Sequence, residues 1–168
     1  MRALSLALLL LATTMSPAAW AQAPAAPADA MKTFANSAEI AALIAKAKAE
    51  RKEGQALVAE RILSLAPYRA TLEYRAALAP AAVHEKDAEL MVVLEGAGTI
   101  TTGGTLVDEK RTNPANLSGT GINGGTAQAL AKGDVIIVPE KVPHQTKPAQ
   151  GQVIVLMTFH VPRPVAWP

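Results

Sequence analysis

Residues 82–96 read AVHEKDAELMVVLEG, and residues 133–144 read GDVIIVPEKVPH. Each stretch contains a short apolar strand with side chains beside it that can bind a metal, namely His84 and Glu89 in the first and His144 in the second. Two imidazoles and one carboxylate can fill half of a metal's coordination sphere and leave open positions for a small ligand. The two stretches therefore predict a class of site but no particular reaction.

The spacing between His84 and Glu89 is too long for one face of a straight strand. It fits two strands joined by a tight turn at Glu85-Lys86-Asp87, which would direct both side chains to the same interior. Met91 and Val93 share Glu89's side of the strand, so we expect the carboxylate to lie among apolar walls and to need a partner. Two interpretations stay open from spacing alone. The pair holds a cation, or it is only a hydrogen-bonded pair or two residues on a rim.

Outward from these stretches, the chain from Ala56 onward consists of short strands separated by turns. Proline or glycine interrupts the pattern at fairly regular spacing and no helical period is found, which indicates an all-β sandwich or jelly-roll barrel. The predicted strands are Leu57–Leu65, Ala70–Leu78, Leu90–Leu94, Thr99–Thr102, Val135–Val138 and Val153–Phe159.

A polar, glycine-rich insertion from Asp108 to Thr126 separates the two stretches. Within it, residues 119–124 match the dinucleotide-binding fingerprint, but no strand leads in and no helix follows, so the match is a decoy. Asn123-Gly124 is better interpreted as a hairpin turn.

An amphipathic helix is predicted at residues 36–53, ahead of the strands. Asn36 can cap it while Glu39 reaches back to the cap, and Gly54 is a natural stop. The apolar residues at helical spacing are Ile40, Leu43, Ile44 and Ala47. We expect this helix to cover an open end or face of the main domain, and binding of a partner protein is the alternative.

Residues 1–21 have the pattern of a cleaved secretory signal peptide. Arg2 precedes the apolar run Ala3–Ala12, and the small-x-small pattern Ala19-Trp20-Ala21 stands before Gln22. The run is well short of the roughly 20 residues that a membrane-spanning helix needs. Cleavage after Ala21 predicts a secreted or periplasmic protein without stable membrane insertion, and residues 22–35, which begin with an Ala/Pro-rich spacer, are predicted to be a linker.

The composition limits the remaining possibilities. A chain of 168 residues is one domain's worth. Sixteen basic and fourteen acidic residues give a net charge of +2, which offers no electrostatic reason to expect nucleic acid as a partner. The chain has no cysteine, which excludes disulfides, thiolate chemistry and cysteine-type zinc sites.

The two stretches resemble the two signature motifs of the cupin family. The first motif is His-x-His, three or four residues, Glu, six residues, Gly, and its matches are His84, Glu89 and Gly96. The second is Gly, five residues, Pro-x-Gly, two residues, His, three residues, Asn, and its matches are Gly133, Pro139 and His144. The resemblance covers residues 56–162 and implies a cupin-type double-stranded β-helix, a jelly-roll barrel, with an N-terminal α-helix before it and a Pro-rich tail at 163–168.

Three positions depart from the motifs. Ala82 stands at the first histidine, Lys141 at the glycine and Pro148 at the asparagine. Family metal centres typically use three histidines and one glutamate, so the resemblance implies that this chain keeps three of the four ligands, His84, Glu89 and His144. Water or substrate would replace the lost ligand, and weaker binding or no metal at all is the alternative.

Other polar residues are weighed against this set. His160 is expected in the core or at the surface rather than at a metal. Tyr68, Tyr74, Arg75 and Lys141 are considered as substrate contacts, although a solvated position is the default for Arg75 and Lys141. Because Tyr74 and Arg75 are neighbours on one strand, at most one of them faces inward.

The resemblance implies an exported metal-dependent enzyme of the isomerase, lyase or dioxygenase type that acts on a small oxygenated organic molecule. Oxygen and nitrogen ligands without sulfur suit Mn, Fe, Ni, Co or Zn. The alternative is a non-catalytic module that binds a small molecule or a metal, which is consistent with the missing ligand at Ala82. Cupins commonly pair through sheet edges, so a homodimer is also expected from the resemblance.

Overall fold

The computed structural model describes residues 31–163. The predicted signal peptide, residues 22–30 of the predicted linker and residues 164–168 of the tail lie outside this range. One helix, α1 (Ser37–Glu50), precedes the strands. The strands are β1 (Leu57–Leu65), β2 (Tyr68–Arg75), β3 (Ala81–His84), β4 (Asp87–Thr102), β5 (Thr105–Val107), β6 (Lys110–Asn113), β7 (Asn116–Gly119), β8 (Gly121–Asn123), β9 (Thr126–Ala131), β10 (Val135–Val138), β11 (His144–Pro148) and β12 (Ile154–Pro162).

Ten of these strands form one curled antiparallel sheet, in the order β1-β2-β12-β4-β11-β3-β7-β6, with β9 and β10 also paired to β4. The long strand β4 joins the two halves of the sheet. Its first part pairs with β10 and β12, and its second part pairs with β9 and β11. The predicted strands Leu90–Leu94 and Thr99–Thr102 are therefore two parts of one strand.

Gly96 allows β4 to pass from one half of the sheet to the other. Its φ is +77°, and a Cβ atom at this position would collide with the carbonyl oxygen of Val153. The ladder between β4 and β12 contains a register shift beside it, between Val155 and Leu156. Only glycine satisfies both the positive φ and the close approach, which gives a physical reason for the glycine at the end of the first motif.

The two faces of β2 and β12 have different surroundings. On the outer face, Leu72 and Tyr74 of β2 and Val155 of β12 pack with Ala47 of α1. On the inner face, Ile154 and Leu156 of β12 pack with Met91 and Val93 of β4. The alternation of a strand places a second set of β2 side chains on the inner side, and these are Arg69, Thr71, Glu73 and Arg75.

The helix covers the outer face of the sheet, as predicted. Asn36 accepts a hydrogen bond from the Glu39 backbone N–H, and the Glu39 side chain accepts one from the Asn36 N–H. The helix ends at Glu50, earlier than the predicted boundary at residue 53. Within residues 31–163, no helix is both long enough and apolar enough to cross a membrane.

No strand was predicted within the glycine-rich insertion, but it contributes strands to the structure. Residues 110–123 contain β6, β7 and β8, and β7 pairs with β3 over four residues. Asn123-Gly124 is not a hairpin turn, because β8 pairs with β5 whereas the next strand, β9, pairs with β4. These strands are polar and short, so they lack the apolar alternation by which strands are recognised.

The division into inner and outer faces predicts unequal effects of truncation. Leu72 is fully buried between β2 and α1, so Leu72→Ala should lower the free energy of unfolding by about 2–5 kcal/mol. Ile137 of β10 is 64% exposed, and Ile137→Ala should change that free energy by less than about 0.5 kcal/mol. Urea denaturation followed by circular dichroism measures both. Equal losses in the two variants would contradict this packing.

Candidate metal centre

The three histidines of this chain meet at one carboxylate. Oε2 of Glu89 lies 2.9 Å from Nε2 of His144 and 3.3 Å from Nε2 of His84, and Oε1 of Glu89 lies 3.9 Å from Nε2 of His160. The exposed fraction of the Glu89 side chain is 4%. Every imidazole that the sequence contains is thus concentrated around one buried negative charge.

Separate strands supply these side chains. His84 ends β3 and His144 begins β11, whereas Glu89 and His160 lie opposite each other in the ladder between β4 and β12. The backbone N–H of Lys141 donates a hydrogen bond of 2.8 Å to the carbonyl oxygen of His84, which ties the segment before β11 to the end of β3. The centre therefore depends on the closure of the sheet and not on one local segment.

Lys141 occupies the position of the glycine in the second motif and adopts a φ of +64°. This left-handed conformation is uncommon for residues other than glycine. The residue that stands in place of the motif's glycine thus has a backbone conformation that glycine adopts readily. The side chain of Lys141 is exposed.

His84, Glu89 and His144 are brought together as the sequence spacing suggested, and His160 joins them. From the sequence, His160 was expected in the core or at the surface rather than at a metal. It is buried, with 8% of its surface exposed, and it offers a nitrogen atom within a group whose ligand atoms lie within 4.8 Å of one another. That group consists of His84, Glu89 and His160, and His144 adds the shortest contact to the carboxylate.

Ala82, where the family has a histidine, lies beside the centre. It is the direct partner of His144 in the ladder between β3 and β11, and it lines the same cavity. The imidazole missing from this side of the centre is matched by His160, which approaches from β12 in the other half of the sheet.

Hydrogen bonds at Nδ1, on the side of the ring away from Glu89, fix the orientations of the His84 and His144 rings. Nδ1 of His84 lies 3.0 Å from the side-chain oxygen of Asn116, and Nδ1 of His144 lies 3.2 Å from the carbonyl oxygen of Val142. Both oxygens can only accept a hydrogen bond, so Nδ1 is the donor in each ring. In the neutral ring, Nε2 then carries the lone pair, and Nε2 is the atom near Glu89. Outer hydrogen bonds of this kind are typical of histidines that bind a metal.

The carboxylate of Glu89 lacks the hydrogen bonds that its burial demands. Its Oε2 atom is buried and makes no hydrogen bond, although two ring nitrogens are near it. When the two rings are neutral, neither Nε2 atom carries a proton, so these short distances are not hydrogen bonds. Nitrogen lone pairs that face a carboxylate repel it, whereas a cation accepts electrons from all of them. The donor set therefore fits a metal ion.

Burial and contacts act on these groups in opposite directions. Burial alone would raise the pKa of Glu89, but the contacts with His144 and His84 hold it well below its usual value. Burial would lower the pKa of His84, but Glu89 and Asn116 together raise it. Burial is the main reason that the pKa of His160 is lowered to about 4. Without a metal, Glu89 is thus ionised and His160 neutral at pH 7.

A cavity of about 260 Å³ opens onto the centre. Its lining includes the three histidines and Glu89, together with Ala82, Ser118, Glu73 and Arg75. A larger cavity of about 550 Å³ lies at the turn between β1 and β2, but its lining contains none of these histidines. The smaller cavity is the candidate site because the three histidines and Glu89 all line it.

The four polar residues considered as substrate contacts are placed differently. Arg75 lines the cavity and its side chain is only 11% exposed, so the default of a solvated position was wrong for it. Tyr74 packs on the opposite face under α1, and Tyr68 is 55% exposed. Lys141 lines a separate cavity. Glu73 was not singled out from the sequence, although its position two residues before Arg75 places it on the same face.

No protein-family model and no curated protein sequence matches this chain. Among solved structures, the protein BH2720 from Bacillus halodurans is similar with a TM-score of 0.51 and 12% identity, over 79% of this chain and 83% of that one. A cupin superfamily protein from Desulfitobacterium hafniense has a TM-score of 0.48 and 14% identity, over 68% and 84%. KdgF from a Halomonas species has a TM-score of 0.46 and 15% identity, over 68% and 87%.

At such identities the likeness concerns the fold and not the activity. Within the chain itself, both signature motifs lie on strands of one curled antiparallel sheet. Their side chains that can bind a metal, His84, Glu89 and His144, meet inside the sheet. The chain therefore has the cupin fold, a double-stranded β-helix, with one N-terminal helix packed on its outer face.

Proposed function

We propose that the protein is a metal-dependent enzyme of the isomerase, lyase or dioxygenase type that acts on a small oxygenated organic molecule. The observation that carries the proposal is the convergence of three imidazoles on the buried carboxylate of Glu89, whose Oε2 atom makes no hydrogen bond. Donors of this type suit Mn, Fe, Ni, Co or Zn. The proposed ligands are His84, Glu89, His144 and His160. His160 would take the place of the family's histidine at position 82, where this chain has alanine.

A metal held here would supply Lewis-acid chemistry to oxygen atoms of the substrate. The residues of the chain have other tasks. Asn116 and the carbonyl group of Val142 orient two of the rings. The small side chain of Ala82 leaves room beside His144, and the cavity admits a molecule of limited size. The alternative of a non-catalytic binding module was favoured only by the missing histidine at position 82. The position of His160 makes that argument weaker, because His160 offers a replacement imidazole.

The place of action and the assembly state are further parts of the proposal. The composition of residues 1–21 supports export to the periplasm or beyond. Pairing of two chains through sheet edges is proposed from the resemblance to cupins, and a monomeric mass by light scattering would contradict it.

Removal of one ligand should weaken metal binding strongly. In residues 22–168, purified without a metal-binding tag, we expect about one metal ion per chain by elemental analysis. Glu89→Gln and His144→Ala should each lower the metal affinity by more than about 100-fold, beyond the effect of an outer hydrogen-bonding partner such as Asn116. Glu95→Gln, which alters an exposed carboxylate on the same strand, is the control and should keep the metal.

The same analysis distinguishes the two possible ligand sets. Loss of metal from His160→Ala supports four ligands, and full occupancy in that variant reduces the set to His84, Glu89 and His144. If the unsubstituted protein contains no metal even after reconstitution, the metalloenzyme proposal is wrong.

Metal and proton should compete for His84. Because the contacts with Glu89 and Asn116 raise the pKa of His84 above its ordinary value, the metal must displace a proton at any pH below that raised pKa. The affinity should be nearly constant at higher pH and should fall by at least about tenfold per pH unit below it. Competition titrations with a chelator between pH 8 and pH 5.5 measure this.

Asn116→Ala provides a matched test of this dependence. It removes a contact that raises the pKa of His84, so the fall in affinity should begin at a lower pH. An affinity that is independent of pH across the range, or an unchanged onset in Asn116→Ala, would contradict the assignment of His84 as a ligand.

A further inference from the structure

An ion pair lines the cavity of the candidate metal centre. Nη2 of Arg75 lies 2.7 Å from Oε2 of Glu73, and Nε of Arg75 donates a hydrogen bond of 2.9 Å to the same oxygen. The exposed fractions of the two side chains are 11% and 13%. They are paired in the ladder with Ile154 and Leu156 of the inner apolar cluster, so both charges lie on the inner side of the sheet.

The fold does not require a charged pair at this place. Apolar residues of similar volume usually stabilise such a position as well as or better than a buried ion pair. The outer face of the same strand is apolar, with Ala70, Leu72 and Tyr74 packed under the helix. Burial does not favour this ion pair, yet it lines the same cavity as the histidines and Glu89. This position indicates that the pair binds a ligand.

The hydrogen bonds leave particular atoms of the pair free. Both short contacts of Arg75 go to one oxygen of Glu73. Within residues 31–163, no hydrogen bond uses Oε1 of Glu73 or Nη1 of Arg75. One free atom accepts a hydrogen bond and the other donates one.

A hydroxyl group suits either free atom, because it can donate a hydrogen bond to Glu73 or accept one from Arg75. A carboxylate would also be attracted to Arg75, but it would be repelled by the neighbouring charge of Glu73. The pair therefore favours a neutral hydroxyl over an anion.

The size of the cavity limits the ligand. Its volume of about 260 Å³ is below the roughly 300–1,000 Å³ of ordinary ligand pockets and corresponds to roughly nine waters at about 30 Å³ each. Only a small molecule fits such a space, and its lining includes both the histidines and the ion pair.

We infer that Glu73 and Arg75 form a second anchor for the substrate, and that the substrate is a small polyhydroxylated compound with two chelating oxygens at one end and a hydroxyl group at the other. The inference rests on the proposed metal centre and narrows its substrate class. Glu73 and Arg75 are positioning residues, since they hold the end of the substrate that is away from the metal.

Three six-carbon acids with the same chelating end test this inference. Gluconate carries hydroxyl groups along its whole length, 2-hydroxyhexanoate carries none beyond the chelating end, and 2-hydroxyadipate ends in a second carboxylate. Calorimetric titration of the metal-loaded protein should show gluconate binding at least about tenfold more tightly than 2-hydroxyhexanoate, because it gains hydrogen bonds to charged groups. 2-Hydroxyadipate should bind no more tightly than 2-hydroxyhexanoate.

The double variant Glu73→Leu/Arg75→Met should lose the preference for gluconate and keep the metal. It removes both charges together, which avoids leaving one buried charge unpaired. The matched control is Lys46→Met/Glu60→Leu, which removes an ion pair between α1 and β1 and should keep the preference.

The outcomes separate the two proposals. Absence of metal from the unsubstituted protein contradicts the proposed function, whereas bound metal without a preference for gluconate overturns the inference alone. A preference that survives in the double variant also overturns it, since chelation by gluconate would then explain the difference. Tightest binding of 2-hydroxyadipate would show an anion anchor and would reject the hydroxyl class.

Discussion

The burial of the Glu89 carboxylate is the constraint on which the centre of this structure depends. An ionised carboxylate that is withdrawn from water requires positive or donating partners, and the partners here come from three different strands. His84 is held by Asn116 and His144 by the carbonyl oxygen of Val142. The contacts of the Glu89 side chain thus link the ends of β3, β11 and β12. In a barrel with a purely apolar interior, these strand ends would not be linked in this way.

The inner side of the sheet combines two environments that are usually kept apart. Met91, Val93, Ile154 and Leu156 form a compact apolar cluster, while Glu73 and Arg75 carry charges on the same side. A low-polarity surrounding strengthens every electrostatic contact within it. Burial of the Glu73 and Arg75 charges on the inner side of the sheet lowers the stability of the fold. A ligand that interacts with both charges would account for their presence.

Much of the fold follows from the sequence, because the spacing of the two motifs and the apolar strands beside them is set by the sheet. The boundaries of β1 and β10 are predicted correctly, and so is the capping of α1 by Asn36. The polar strands β6 to β8 were missed, since a strand without apolar alternation has no period to detect. One of them carries Asn116, so the support behind His84 was missed with it.

The candidate site was predictable only in part. The motif positions identify His84, Glu89 and His144, but alternation along a strand gives the face of a residue and not its partner on the next strand. His160 could be placed opposite Glu89 only when the register between β12 and β4 was known. The same limit applies to Arg75, whose inward direction was one of two options until the position of the helix fixed the outer face.

Two of the glycine positions in the cupin motifs, residues 96 and 141, differ in how strictly the fold requires glycine. At residue 141 a lysine stands where the motif has glycine and adopts a positive φ, so this position constrains only the backbone angle, at a cost of roughly 1–2 kcal/mol. At Gly96 any side chain would also collide with the carbonyl oxygen of Val153. A sequence pattern that requires glycine at both positions rejects this chain, whereas one that requires glycine only at the first accepts it at these two positions.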